Sequence, residues 1–200
     1  EQEGFLDLSF ETICGFADHG AIVHYAATPE TDKEILPESF LLVDSGGHYL
    51  EGTTDITRTF ALGEVTDEMR EMFTRVLRSN VSLASARFRQ GCCGLNFDIL
   101  ARAPFWDIDM DYNHGTGHGV GYVLNVHEGP NSFHWKAYPG RSADSEILPG
   151  MITTDEPGVY LEGKFGIRTE NELVACLGNK NEYGQFMYFE NLTYVPVDLD

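Results

Sequence analysis

The sequence predicts an α+β fold in which short antiparallel strands outnumber helices. Two stretches, 41–60 and 154–174, contain β-branched and alternating apolar residues around a central turn, which is typical of β-hairpins. From Thr66 to Gln90 the apolar residues recur with the 3.6-residue period of an amphipathic helix, and Thr66 is a suitable N-cap. A shorter helix is predicted from Asn96 to Ala103, where Pro104 would end it.

Composition limits the possible partners and locations. The 200 residues are 42% hydrophobic and 22% charged, which is typical of a globular domain. A formal charge of −19 argues against nucleic acid and anionic membranes as partners, because phosphates would be repelled. No apolar run has the roughly 18 residues of a membrane span, and the four irregularly spaced cysteines suggest reduced thiols. These features predict a cytoplasmic protein.

The first hairpin contains two aspartates at related positions. Its turn is predicted near Tyr49 to Gly52, and the midpoint between Asp44 and Asp55 falls in that turn. The two side chains are therefore expected to lie directly opposite one another on one face of adjacent strands. Two like charges so close are unfavourable unless a cation lies between them.

The second hairpin repeats this arrangement with glutamates. The midpoint between Glu156 and Glu170 is residue 163, a glycine. Four carboxylates that face one another require one or two divalent cations to offset their charge.

A glycine-rich stretch between the hairpins contains His114, His118 and His127. Its glycines argue against a helix, and so against a zinc site built from two histidines on one helical turn. Imidazole together with carboxylates suits manganese, zinc, cobalt or iron better than calcium.

Four motifs together resemble one family. They are AIVHY around His24, DSGGHYLEGTTDITRT, HGTGHGVGYVLNVHEGP and TDEPGVY with GIRTEN. In this order and spacing they resemble the proline-specific metallopeptidases of the pita-bread fold, above all the Xaa-Pro aminopeptidases. The resemblance extends over nearly the whole chain, and it implies a curved antiparallel sheet with helices on its convex face.

The resemblance also implies a ligand set for two divalent ions, with manganese expected first. Asp44 would bind one ion, His118 and Glu156 would bind the other, and Asp55 and Glu170 would bridge both. A hydroxide between the ions would attack the scissile carbonyl. The counterpart of Glu156 in the family is also the general base.

Four further residues match functional positions of the family. His24, His114 and His127 correspond to histidines that bind substrate and transfer protons, and each has a structural hydrogen-bonding histidine as its plainer interpretation. Arg168, two residues before Glu170 on the same strand face, is expected to orient a carboxylate ligand or the substrate. His48 and His134 match no such position and are predicted to lie at the surface.

The function implied is removal of an N-terminal residue from a peptide whose second residue is proline. The resemblance implies that the intact enzyme is a homo-oligomer, a dimer, and the negative charge argues against nucleic acid or membrane partners. The nearest alternative is prolidase, which has the same five ligands but acts on Xaa-Pro dipeptides; the GTTDITRT motif favours the aminopeptidase. Methionine aminopeptidase is disfavoured, because its two glutamates are more widely separated in sequence than the 14 positions that separate Glu156 from Glu170. A metal-free pita-bread protein that binds partners is a remote alternative, since such proteins lose ligands that this chain keeps.

The resemblance further predicts that residues 1–200 form the C-terminal portion of a catalytic domain. The family has an upstream helical segment and a separate N-terminal domain. With few helices of its own, the chain is expected to expose an apolar patch on the convex side of its sheet.

Overall fold

The computed structural model describes residues 2–137 and 145–198, and it confirms the α+β class. Two α-helices occur in these ranges, Asp67–Ala84 (α1) and Asp98–Trp106 (α2). The strands are Phe5–Leu8 (β1), Ile13–Phe16 (β2), Phe40–Ser45 (β3), Gly47–Tyr49 (β4), Ile56–Ala61 (β5), Arg87–Arg89 (β6), Gly117–Val120 (β7), His127–Phe133 (β8), Ile152–Asp155 (β9), Gly158–Leu161 (β10), Phe165–Arg168 (β11), Asn171–Asn181 (β12) and Gly184–Asn191 (β13).

The strands pair in antiparallel fashion throughout the described residues. One sheet has six strands in the order β6-β13-β12-β9-β7-β8, and another has three in the order β2-β3-β5. The pairs β1-β4 and β10-β11 complete the set. The β10-β11 hairpin contacts the three-stranded sheet through its second strand, because the backbone N–H of Arg168 donates to Thr59 Oγ1 at 3.2 Å.

Two apolar clusters support the sheets, and α1 contributes to both. Met69, Met72 and Val76 pack in one cluster with residues of the three-stranded sheet and of the β10-β11 hairpin. Leu83, about two turns beyond Val76 on α1, packs in the other cluster with residues of the six-stranded sheet such as Leu173. The helix therefore connects the three-stranded sheet to the six-stranded sheet. No helix in the described ranges is long and apolar enough to cross a bilayer.

The long helix begins at the predicted N-cap, but it ends earlier than predicted. Thr66 Oγ1 accepts a hydrogen bond from the backbone N–H of Met69 at 3.2 Å, which confirms the N-cap. The helix ends at Ala84 instead of Gln90, and Phe88 belongs to β6, where it pairs with Met187. Phe88 is buried between two exposed arginines, so this segment has the two-residue period of a strand.

The prediction that Pro104 ends the second helix is also wrong. The helix runs from Asp98 to Trp106 with the proline inside it. It continues because the Asp107 N–H still bonds to the Ala103 carbonyl at 3.0 Å, while the Pro104 carbonyl accepts from Arg75 Nη1 at 2.7 Å.

The N-terminal segment flanks the first hairpin. The alternating apolar residues over 5–28 predict two short strands joined by a loop, with His24 at the end of the second. The structure has two strands in this segment, β1 paired with β4 and β2 paired with β3. His24, expected at a strand end, instead lies in a turn that follows a 3-10 segment over Ala17–Ala21. The polar sequence over 131–149 predicts a loop. The loop begins later than this, because β8 extends to Phe133, and residues 138–144 of it lie outside the described residues.

The turn of the second hairpin provides a test of the fold. Gly163 has a φ of +70° and open space around its Cα, so a methyl group there meets strain but no clash. We expect Gly163→Ala to lower the free energy of unfolding by about 1 kcal/mol, because a left-handed residue disfavours a Cβ. Gly52→Ala is the matched control: Gly52 also has open space, and its φ lies outside the left-handed region. Chemical denaturation of both variants should separate them; equal stabilities would contradict the turn geometry.

Candidate metal centre

The first hairpin brings Asp44 and Asp55 to one face, but not directly opposite one another as predicted. Asp44 pairs with Thr57, and the ladder continues in one register to a tip at which Tyr49 and Gly52 exchange backbone hydrogen bonds of 2.8 and 3.3 Å. The turn was therefore located correctly, but its centre lies one residue later than the midpoint of the two aspartates. Because residues 55 and 57 share a strand face, Asp55 is the diagonal neighbour of Asp44.

The second hairpin has the predicted register. Gly158 pairs with Arg168, and Asp155 pairs with Asn171. Glu156 and Glu170 lie between these pairs and so face one another, at the point where the hairpin leaves the six-stranded sheet. The opposition of the two glutamates is confirmed.

The four predicted carboxylate ligands converge with the fifth, His118 on β7. Three sets of side chains have possible ligand atoms within 4.8 Å of one another: Asp44, Asp55 and Glu170; His118, Glu156 and Glu170; and Asp55, His118 and His127. Glu170 is common to the first two sets, which is the geometry that a bridging ligand requires. His118 Nε2 lies 3.5 Å from Asp55 Oδ2 and 3.4 Å from Glu156 Oε1. The third set gives His127 the position of a possible ligand as well.

Burial and mutual repulsion raise the pKa values of Asp44, Glu156 and Glu170. Burial raises the pKa of Glu156 to about 7, with the nearby charge of Asp55 adding to the effect and His118 opposing it. Burial, followed by the charge of Asp55, also raises the pKa of Glu170 well above its usual range. Burial lowers the pKa of His118, but its contacts with Asp55 and Glu156 outweigh this and raise it to about 9. The site as a whole favours added positive charge.

The donor set fits divalent cations. It consists of carboxylate oxygens and imidazole nitrogen, which manganese, zinc, cobalt and iron accept. Asp44 Oδ1 is buried and has no hydrogen-bond partner, although a buried carboxylate oxygen normally has one. Asp44 belongs to the set that contains Asp55 and Glu170, so a cation held by that set would lie beside this carboxylate.

Arg168 connects the first aspartate to His114. Its Nη2 donates to Asp44 Oδ2 at 2.6 Å, and its Nη1 donates to Tyr160 OH at 3.0 Å. The Tyr160 hydroxyl lies 2.9 Å from His114 Nε2, and His114 Nδ1 lies 2.8 Å from the Gly115 carbonyl. A carbonyl can only accept, so Nδ1 bears the proton and Nε2 accepts from Tyr160. Burial lowers the pKa of His114 to about 4, which keeps the ring neutral.

Two residues of the site were missed by the sequence argument. Tyr160 supplies the hydroxyl just described, and Thr57 Oγ1 donates to Glu170 Oε2 at 2.6 Å while it accepts from Arg168 Nε at 3.2 Å. Both could have been found, because each lies an even number of residues beyond a ligand, Glu156 or Asp55, on the same strand face.

The ligands lie at one end of a cavity of about 700 Å³. His24 and His127 line it, and the ring of His127 lies 3.8 Å from that of His118 between centroids. Its other wall is largely apolar and includes Phe10, Ile13, Val23, Tyr25 and Val126.

Of the two histidines predicted to lie at the surface, one is buried and the other is half-buried. His48 is buried, with Nδ1 2.8 Å from Thr53 Oγ1 in the first hairpin. His134 is half-buried and lines a second cavity of about 690 Å³ on the side of His118 that faces His114. His48 and Thr53 pair across the hairpin in a register that differs from the predicted one.

Comparison with known proteins agrees with this geometry. Aminopeptidase P2 of Arabidopsis thaliana is 45% identical over 199 residues, which are 98% of this chain and 28% of that protein. Xaa-Pro aminopeptidase 1 of Dictyostelium discoideum is 42% identical over 199 residues, or 99% of this chain and 31% of that protein. The chain thus spans less than a third of the length of these relatives.

Solved structures confirm the pita-bread fold. An X-prolyl aminopeptidase from Caenorhabditis elegans, described as a cytosolic enzyme with a di-nuclear active site, superposes with a TM-score of 0.89 at 37% identity, covering 98% of this chain and 31% of that one. A prolidase from Pyrococcus furiosus has a TM-score of 0.78 at 27% identity, covering 96% and 51%. The profile of metallopeptidase family M24 matches residues 1–175, and the chain therefore belongs to metallopeptidase family M24.

Proposed function

We propose that this chain forms the catalytic site of a dinuclear-metal aminopeptidase that hydrolyses the bond between an N-terminal residue and a following proline. The observation that supports this most is the pair of carboxylate hairpins, whose ligand atoms form two sets that share Glu170. The names of the relatives from Arabidopsis and Dictyostelium support the reaction and the substrate.

In this proposal Asp44 would hold one ion, His118 and Glu156 would hold the other, and Asp55 and Glu170 would contribute to both. Two divalent ions would polarise the scissile carbonyl and make a water molecule nucleophilic near neutral pH. Manganese is the ion we expect, with zinc, cobalt and iron as alternatives, because the donors are oxygens and one imidazole.

Several side chains are placed to act on the substrate. Glu156 Oε1 accepts from Thr154 Oγ1 at 3.1 Å, which orients the carboxylate that we propose as general base. Arg168 orients Asp44, and its side chain also lines the cavity. His24 and His127 line the cavity near the ligands, where neutral imidazoles can bind substrate and transfer protons. His114 presents a neutral ring on the other side of His118.

Proline at the second position fits the cavity for a chemical reason. A prolyl amide has no N–H and a fixed φ, so an enzyme that cuts before proline gains nothing from a hydrogen-bond acceptor for that amide. The cavity offers an apolar wall, formed by residues such as Ile13, Val23 and Tyr25, against which a pyrrolidine ring can pack.

The substrate length separates the proposed function from prolidase. We expect kcat/KM for Xaa-Pro-Yaa tripeptides to exceed that for Xaa-Pro dipeptides by at least about tenfold, a difference of roughly 1.4 kcal/mol in transition-state binding. The comparison uses the full-length protein loaded with manganese. The neighbour from Caenorhabditis elegans, which superposes better than the prolidase, supports this expectation. A preference for dipeptides would assign the chain to the prolidase alternative.

Location and assembly complete the proposal. We propose a cytoplasmic enzyme, since the Caenorhabditis elegans relative is described as cytosolic. The dimer that the resemblance implies and the position of residues 1–200 as the C-terminal portion of a catalytic domain remain predictions.

The bridging role of Asp55 can be tested by metal analysis. Asp55→Asn keeps the shape of the side chain and removes its charge, so the purified variant should bind fewer than two equivalents of metal. His127→Ala is the control at the same site: it should keep both ions and lose turnover, because the proposed ligand set is complete without it. Loss of an ion in His127→Ala would instead support the set formed by Asp55, His118 and His127.

Removing the metal should make stability depend on pH in a defined window. Burial raises the pKa of Glu156 to about 7 and that of Glu172 to about 8, while His118, with a pKa of about 9, is raised from 6.5 by its carboxylate neighbours. The folded protein therefore retains protons that the unfolded chain has released, so stability falls as the pH rises from 6.5 to 9. His114 and His127, with pKa values lowered to about 4 by burial, affect only the range below 6.5.

We expect the metal-free protein to lose on the order of 2 kcal/mol across this window. Denaturation in EDTA at several pH values measures the loss. With saturating manganese the loss should shrink, because metal binding requires the deprotonated ligands. A flat profile in EDTA would show that the carboxyl groups do not repel one another as the structure implies.

A further inference from the structure

A buried ion pair lies behind the loop that contains His114. Asp98 and Arg102 are one helical turn apart on α2, their exposed fractions are 0% and 1%, and Arg102 Nε lies 2.5 Å from Asp98 Oδ2. Apolar residues of similar volume often stabilise a core as well as a buried ion pair does. The pair therefore calls for an explanation other than stability.

Arg102 uses its remaining donors on the backbone of that loop. Nη1 donates to the Tyr112 carbonyl at 2.8 Å and to Asp111 Oδ1 at 2.6 Å, and Nη2 donates to the His114 carbonyl at 2.7 Å. The guanidinium carbon lies 4.1 Å from the centre of the Tyr112 ring. Residues 107–116 contain no helix or strand, so these bonds determine where the backbone of His114 lies.

Asp98 connects the same pair to a proposed metal ligand. Its Oδ1 accepts from Thr116 Oγ1 at 2.7 Å, and the Thr116 carbonyl accepts from the backbone N–H of Glu156 at 2.8 Å. One ion pair thus contacts both the segment that presents His114 and the segment that holds Glu156.

We propose that Asp98 and Arg102 are positioning residues that fix His114 relative to Glu156 in the active centre. This inference rests on the proposed function, because it assigns the pair a role in turnover. Neither side chain lines the catalytic cavity, so the pair acts through His114 and Thr116 and not on the substrate. A planar guanidinium is needed, since it bonds two carbonyls and two carboxylates at once.

Arg102→Lys in the full-length, metal-loaded protein tests the proposal. Lysine keeps the charge near Asp98 but cannot reproduce the fork, so we expect kcat to fall about 100-fold, the effect of a misplaced catalytic group. KM should change by less than about threefold, and two equivalents of metal should remain. Arg75→Lys is the matched control. Arg75 also donates to a backbone carbonyl, that of Pro104, and to an acidic neighbour four residues earlier, but away from the site.

Two further measurements distinguish positioning from general damage. If Arg102 acts through His114, the double variant Arg102→Lys with His114→Ala should be no slower than His114→Ala alone; additive losses would overturn the proposal. The ¹⁵N shifts of the His114 ring in the zinc-loaded protein provide a readout without turnover. They should report a protonated Nδ1 in the wild type and in Arg75→Lys, and a mixture of tautomers in Arg102→Lys.

An unchanged His114 spectrum in Arg102→Lys would refute the positioning role. This result does not depend on turnover, so it can be told apart from a failure of the proposed function, in which the wild type would not cut Xaa-Pro peptides. Should Arg102→Lys fail to fold, Asp98→Asn applies the same comparison. It keeps an acceptor for Thr116 while it weakens the hold on Arg102, and the same loss of kcat at unchanged metal content is expected.

Discussion

Mutual repulsion among four carboxyl groups, gathered in sets within 4.8 Å of one another, is the constraint on which the rest of this molecule depends. Such a cluster is unfavourable in a buried place unless positive charge or hydrogen-bond donors surround it. Arg168 provides both for Asp44, Thr57 donates to Glu170, and His118 lies between the remaining two. Each of these neighbours comes from a different strand, so the site exists only once both hairpins and β7 have assembled.

The backbone beneath the carboxylates is fixed by bonds that leave their oxygens free. Arg58 is buried and donates from Nη1 to the Glu170 carbonyl at 2.7 Å and from Nη2 to Asn171 Oδ1 at 2.7 Å. Asn171 in turn donates to Asn80 of α1, which donates to the Asp155 carbonyl at 2.8 Å. Backbone carbonyls and side-chain amides accept these hydrogen bonds, so the carboxylate side chains remain available to cations.

The sequence was sufficient to place the two glutamates opposite one another, because hairpin register follows from the turn. Gly163 marks the centre of the second hairpin through its left-handed φ, so the glutamates were paired correctly. The first hairpin has its centre between Leu50 and Glu51, where no residue type marks it, and the predicted register was off. Phe88 satisfied a helical period as well as a strand period, and only its distant partner Met187 decides between them. Contacts between segments far apart in the chain cannot be obtained from periodicity.

The register of the second hairpin also bears on how such chains diverge. Glu156 and Glu170 are held opposite one another at the base of the arm, while residues 162–164 at its tip are exposed. Inserting residues in equal numbers on both sides of the tip would lengthen the arm and leave the glutamates facing. The separation of 14 positions between Glu156 and Glu170 therefore reflects the length of the hairpin arm. A homologue with a larger separation could retain the same metal geometry. Insertions matched on the two strands preserve the opposition of the glutamates, whereas one residue inserted on a single strand would put them out of register.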